Sequence, residues 1–202
     1  MKYLKLFIIV LLAFGFSSCS KIIMSMYGMK TVDFVDTEKI EYSADNYDIP
    51  KENSYKINAS YLDYITNLDS TYNQEKKNHL QPLQALYFDN SGKLISYHIN
   101  CYAGGFPNLK WNRNNAFNCF PPTTSPENDT LFDFTKLSKY FLKLDNTPYI
   151  SSKKTDYNIV IFWSIAMGRQ SKRLIKLVKE NAKLSDKTVN IIFVNDDDIY
   201  LK

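Results

Sequence analysis

Histidine, cysteine and glycine are scarce in this 202-residue chain, at two, three and six residues. His79 and His98 sit neither in metal-ligand spacing nor beside a nucleophile motif, so metal-hydrolase and Ser-His-Asp chemistry have no foundation. The few glycines form no phosphate-binding loop, and there is no G-x-S-x-G and no H-E-x-x-H. One-signed charge is also missing: 25 Lys and Arg face 21 Asp and Glu, a net +4 that is too small to argue for nucleic acid. No apolar run approaches the ~20 residues that cross a bilayer. Aromatics are plentiful instead, with 15 tyrosines and 13 phenylalanines, the composition of a packed domain rather than a disordered one.

The longest apolar run lies at the start. Lys2 and Lys5 precede Leu6 to Phe16, and Ser17-Ser18-Cys19 follows. A basic start, about a dozen apolar residues and small residues before the cut make a secretory signal. With the cysteine behind the small pair, Phe16-Ser17-Ser18-Cys19 resembles a bacterial lipoprotein lipobox, although Phe16 stands where an aliphatic residue is usual. The resemblance implies cleavage after Ser18, a diacylglycerol on Cys19 and a lipid-anchored protein of the bacterial envelope. Several acyl chains hold where one is marginal. Removing 18 of the 202 residues leaves 184, enough for one domain with a core. Lys2 and Lys5 leave with the signal and take +4 down to +2. Residues 1–18 thus read as signal, 19–54 as a lipidated tether with one short strand near Thr31 to Val35, and 55–202 as a single α/β domain.

Within that domain, Tyr61, Leu62, Ile65, Leu68 and Tyr72 recur at helical spacing and predict a helix from Ala59 to about Lys77. Leu83 to Phe88 and Leu94 to Asn100, separated by Asp89-Asn90-Ser91-Gly92-Lys93, predict a hairpin. Cys101 to Pro122 reads as a long ordered loop. A bond between Cys101 and Cys119, expected in an oxidising compartment, would close about 19 residues and contribute about 3 kcal/mol. Leu131 to Leu144 predicts a second helix. Tyr157 to Trp163 and Val189 to Val194 are continuously apolar and predict buried strands. Gly168 to Leu184 between them is an amphipathic helix, which makes a right-handed βαβ unit.

The stretch Ile161-Phe162-Trp163-Ser164-Ile165-Ala166-Met167-Gly168-Arg169-Gln170-Ser171-Lys172 resembles the centre of a thioredoxin-family domain. There a buried strand ends in Phe-Trp-Ala and Cys-Gly-Pro-Cys-Lys opens the next helix. Aligned on Phe162-Trp163 and Gly168, Met167 takes the position of the attacking cysteine and Gln170 that of the resolving one. The family's reaction needs a thiolate stabilised at the helix start and a second thiol to resolve the mixed disulfide. Methionine and glutamine supply neither, so the resemblance implies the fold without the reaction and a binding or scaffold role. The family continues with a cis-proline, two strands and a helix; here those parts are absent after the second strand or replaced by the earlier hairpin. The rival expectation is an envelope thiol-disulfide oxidoreductase that uses Cys101 and Cys119.

Arg169, Lys172, Arg173, Lys176, Lys179 and Lys183 give the helix a basic face, solvated or turned toward anionic lipid or an acidic partner. Asp196, Asp197 and Asp198 lie at the carboxyl end of a strand, where α/β folds hold ligands, but three consecutive acids do not converge on one ion. No metal or other cofactor is expected. The expected partners are a membrane, through the lipid, and an envelope protein of unknown identity.

Overall fold

The computed structural model describes residues 24–104, 109–123, 129, 131–151 and 154–200. The signal, Cys19 and the acylation expected there lie outside the described residues. No helix among the described residues is long and apolar enough to cross a membrane.

The molecule is an α/β structure on one mixed six-stranded sheet. Besides the helical residues 24–26, its α-helices among the described residues are α1 (Thr37–Asn46), α2 (Ser60–Thr66), α3 (Asn73–His79), α4 (Asn100–Ala103), α5 (Phe134–Ser138) and α6 (Arg169–Ala182). Its strands are β1 (Ser54–Ile57), β2 (Gln84–Asp89), β3 (Leu94–Ile99), β4 (Phe141–Lys143), β5 (Tyr157–Trp163) and β6 (Val189–Asn195). The order across the sheet is β3-β2-β5-β6-β1-β4. β5 and β6 pair in parallel from Tyr157 with Val189 to Trp163 with Asn195, so the βαβ unit forms as its periodicity predicts. β1 adds in parallel to β6 and β4 closes that side antiparallel. The hairpin of β2 and β3 also forms, and β2 runs antiparallel to β5 along its whole length. Its turn is held by Asp89, whose Oδ1 accepts from Ser91 N and Lys93 N, while Gly92 takes a φ of +85°.

Two apolar layers cover the sheet. On one face α6 sets Leu174, Ile175 and Val178 against Ile159, Ile161 and Trp163. Each such side chain contributes about 1.5–3 kcal/mol on burial. On the other face Tyr61, Ile65, Phe132, Leu137 and Phe141 pack on Val160 and Phe162.

Four expectations need correction. Residues 37–54 are not a tether. Asp36 caps α1 by accepting from Lys39 N, and Ile40, Ala44, Tyr47 and Ile49 enter the same core layer as α6. No strand forms at Thr31 to Val35; Val32 and Val35 pack partly buried against that layer. The helix expected over 59–77 breaks in two. Asn67 Nδ2 bonds back to Asp63 O and Asp69 Oδ1 accepts from Thr71 N, giving the backbone an alternative to the helical ladder. The helix expected over 131–144 stops at Ser138, because Phe141 to Lys143 supply the open edge of β1 with a partner.

Candidate functional site

The parallel strands β5 and β6 end side by side, and the loop 164–168 carries the chain from β5 into α6. Asp197 builds this loop from inside. Its carboxylate accepts from Ser164 Oγ at 2.5 Å, Ile165 N at 2.7 Å, Ala166 N at 3.4 Å and Asn195 Nδ2 at 2.7 Å. Ser171, in the first turn of α6, donates to Ser164 O at 2.6 Å and accepts from Ser164 N. The loop and the helix start are therefore one rigid unit, consistent with the strong hydrogen bonds a carboxylate makes to fixed donors.

Gly168 precedes α6 at φ +46° and ψ −114°, a backbone that costs any other residue strain. A Cβ there would overlap the carbonyl oxygen of Gly28. Residues 26–30 lie across the helix start as a strap. Arg169 N donates to Gly28 O at 3.1 Å, and Lys30 N donates to Ala166 O at 2.8 Å. Gln170 Nε2 donates to Tyr27 O at 2.8 Å, and Arg169 Nη2 to Met26 O at 2.6 Å. Gly28 is itself at φ +71°, and a Cβ on it would come within 2.7 Å of Arg169 Cβ.

The positions aligned with the family's cysteines thus differ in use. Gln170 is buried and its amide holds the strap. Met167 is half-buried against the α6-side core. The contacts to residues 26–30 are made to main chain: donors from the helix start meet the carbonyls of Met26, Tyr27 and Gly28, and the carbonyl of Ala166 meets Lys30 N. Trp163, beneath the loop, packs edge-on against Tyr47 at 5.6 Å.

The basic face is only partly available. Lys172 Nζ donates to Asn46 O at 2.9 Å, Lys179 Nζ to Asp48 O at 2.7 Å, and Lys183 pairs with Glu180 at 2.8 Å. With Arg169 on the strap, three of the six cations tie residues 26–48 onto α6, which replaces the expected open face. Arg173 and Lys176 are exposed.

Cys101 and Cys119 are free thiols rather than the expected bonded pair. Cys101 Sγ donates to Gln81 Oε1 at 3.0 Å, and Cys119 Sγ faces Ala116 O and Thr123 Oγ1. Each thiol has its own partners.

The three aspartates also part. Asp197 organises the loop, and Asp198 is half-buried. Asp196 is fully buried, with neither oxygen hydrogen-bonded among the described residues, and burial followed by the charge of Asp197 pushes its carboxyl well above the ordinary range. Among the described residues no three His, Cys, Asp or Glu side chains group as metal ligands.

Sequence reasoning missed two features. One is Gly28, a glycine in an apparent tether. The other is a buried contact in which His79 Nε2 lies 2.7 Å from Asp129 Oδ2. Burial raises the Asp129 carboxyl, but the hydrogen bond and charge of His79 and the N–H of Leu131 outweigh it and leave the group below its ordinary value. Comparison with protein-family models, with curated proteins and with solved structures found no match.

Proposed function

We propose that this is a lipid-anchored envelope protein whose thioredoxin-like domain binds a partner's extended main chain at the start of α6 and does no redox chemistry there. The observation that carries the reading is the helix start itself: Ala166, Arg169 and Gln170 hold the backbone of residues 26–30, and no sulfhydryl stands among them. The strand directions support the thioredoxin-like assignment. Phe162-Trp163 closes a buried strand parallel to β6, and the hairpin lies antiparallel on the other side of β5. It thereby offers the two extra strands that the resemblance expects after the βαβ unit, supplied from earlier in the chain. The strap is then the resident occupant, and a partner segment displaces it. The separate contacts of Cys101 and Cys119 give the rival thiol-disulfide enzyme no support.

The test uses Gly28→Val, which removes the positive φ and clashes with Arg169, so that the strap leaves. A labelled peptide spanning residues 24–32 should then bind Gly28→Val in trans and fail to bind the parent protein. Absence of binding to a folded Gly28→Val protein would refute the reading. Palmitate labelling that Cys19→Ala abolishes tests the anchor, and a protein secreted without lipid would refute it.

A further inference from the structure

We infer that the cavity between β3, α4 and the 111–116 turn binds a small apolar monocarboxylate. It is lined by His98, Ile99, Tyr102, Ala103, Trp111 and Arg113, among others, is open to solvent on one side, and offers about 190 Å³. A cavity of roughly 150 Å³ takes up one benzene, so the space suits a single ring or a short branched chain. Ile99 and Ala103 make an apolar base, and the buried Trp111 ring a flat wall.

The charge of the ligand follows from what stands at the mouth. Among the described residues Arg113 is the one cation on the lining and no acid borders the cavity; its side chain is exposed at the mouth, and its guanidinium has no protein hydrogen-bond acceptor there. Its position is built rather than chanced. It packs on the backbone of Gly104, at φ +54°, where any Cβ would overlap the guanidinium. The loop that carries it is tied by Asn112, whose Oδ1 accepts from Phe117 N at 2.9 Å and whose Nδ2 donates to Asn118 Oδ1 at 2.8 Å. A planar, always-charged fork with no protein partner among the described residues matches a carboxylate in two parallel hydrogen bonds. The indole N–H of Trp111, without an acceptor among the described residues, is itself shut off from solvent and serves as a reporter beside the cavity rather than as a donor to its contents. Burial lowers the His98 pKa to about 4, so it adds no charge at neutral pH; its ring lies 4.7 Å from that of Phe117 and its Nε2 3.1 Å from Ser96 Oγ.

The location fits as well. Gln84 opposes both Ile99 and Phe162, so the cavity opens at the sheet end where the parallel strands finish, the usual ligand end of α/β folds. It is a separate site from the strap and does not depend on it.

Benzoate is the probe, benzamide its neutral match, and the Trp111 indole N–H cross-peak the readout in the intact protein. Benzoate should shift that peak saturably, benzamide at least about tenfold more weakly, and Arg113→Gln should weaken benzoate by about tenfold or more. Lack of a saturable shift up to roughly 10 mM, the range open to a ligand this small, would overturn the assignment. Equal binding of benzamide, unchanged binding by Arg113→Gln, or displacement of benzoate by equimolar inorganic phosphate would overturn it too.

Discussion

The carbonyl oxygen of Gly28 fills the space where Gly168 would carry a Cβ, so two glycines 140 positions apart in sequence make one contact possible. The contact joins the segment following the proposed lipid site to the first turn of α6. Replacing Gly168 by alanine introduces both a side chain at φ +46° and an overlap with Gly28. Gly168→Ala should lower stability by about 1–3 kcal/mol and detach residues 26–30. Urea unfolding gives the first quantity and proteolytic nicking near Lys30 the second. A variant as stable and as resistant as the parent would mean that the strap is not held there.

Asp197 answers to a different substitution pattern. Asp197→Ala leaves Ser164 Oγ, Ile165 N and Asn195 Nδ2 buried without their acceptor, at a cost of about 3–5 kcal/mol. Asp197→Asn keeps one acceptor oxygen and should lose less than half as much. Thermal unfolding of the two variants checks the order, and equal losses would show that the one acceptor oxygen asparagine retains does not hold the loop.

The long periodic elements were legible in the sequence because their signals are local. Ile159 to Trp163 is buried on both faces, and the Asp89 to Lys93 turn sits between two apolar runs, so each segment specifies itself. The misreadings came where a distant partner decides. Phe141 follows a helical pattern from Phe134 and Leu137 yet becomes a strand because β1 has an open edge. Ile40 and Ala44 supply too few apolar positions to mark α1, which is stabilised by packing on the α6 side of the sheet. At the candidate site, Met167 and Gln170 could be placed by alignment, but the strap that Gln170 holds is a main-chain contact and leaves no residue-type signature beyond Gly28.

Free thiols make a sharp prediction. Cys101 is exposed and Cys119 half-buried, so Cys101 should react first with a thiol reagent, and both should be counted as free thiols after unfolding without reductant. Dithiothreitol should leave the urea midpoint unmoved. A bonded pair would instead lose about 3 kcal/mol on reduction.

Two buried groups pull the pH dependence in opposite directions. Burial lowers the His98 pKa to about 4 from 6.5, so the unfolded chain binds the proton more tightly. Its contribution is present above pH 6.5 and is lost as pH falls toward 4, by roughly 3 kcal/mol in all. Asp196 behaves inversely. Its folded carboxyl is raised far above 3.8, so the folded chain holds the proton, and stability declines as pH rises from about 4 upward. Between pH 4 and 6.5 the two slopes oppose each other, and the parent protein should vary little. Asp196→Asn removes one slope; it should be more stable than the parent at pH 7 and should weaken on acidification below 6.5. His98→Phe removes the other, and its stability should rise as pH falls from 6.5 to 4. Urea midpoints across that range decide the matter, and two variants with the same pH profile as the parent would mean that neither group titrates as its burial requires.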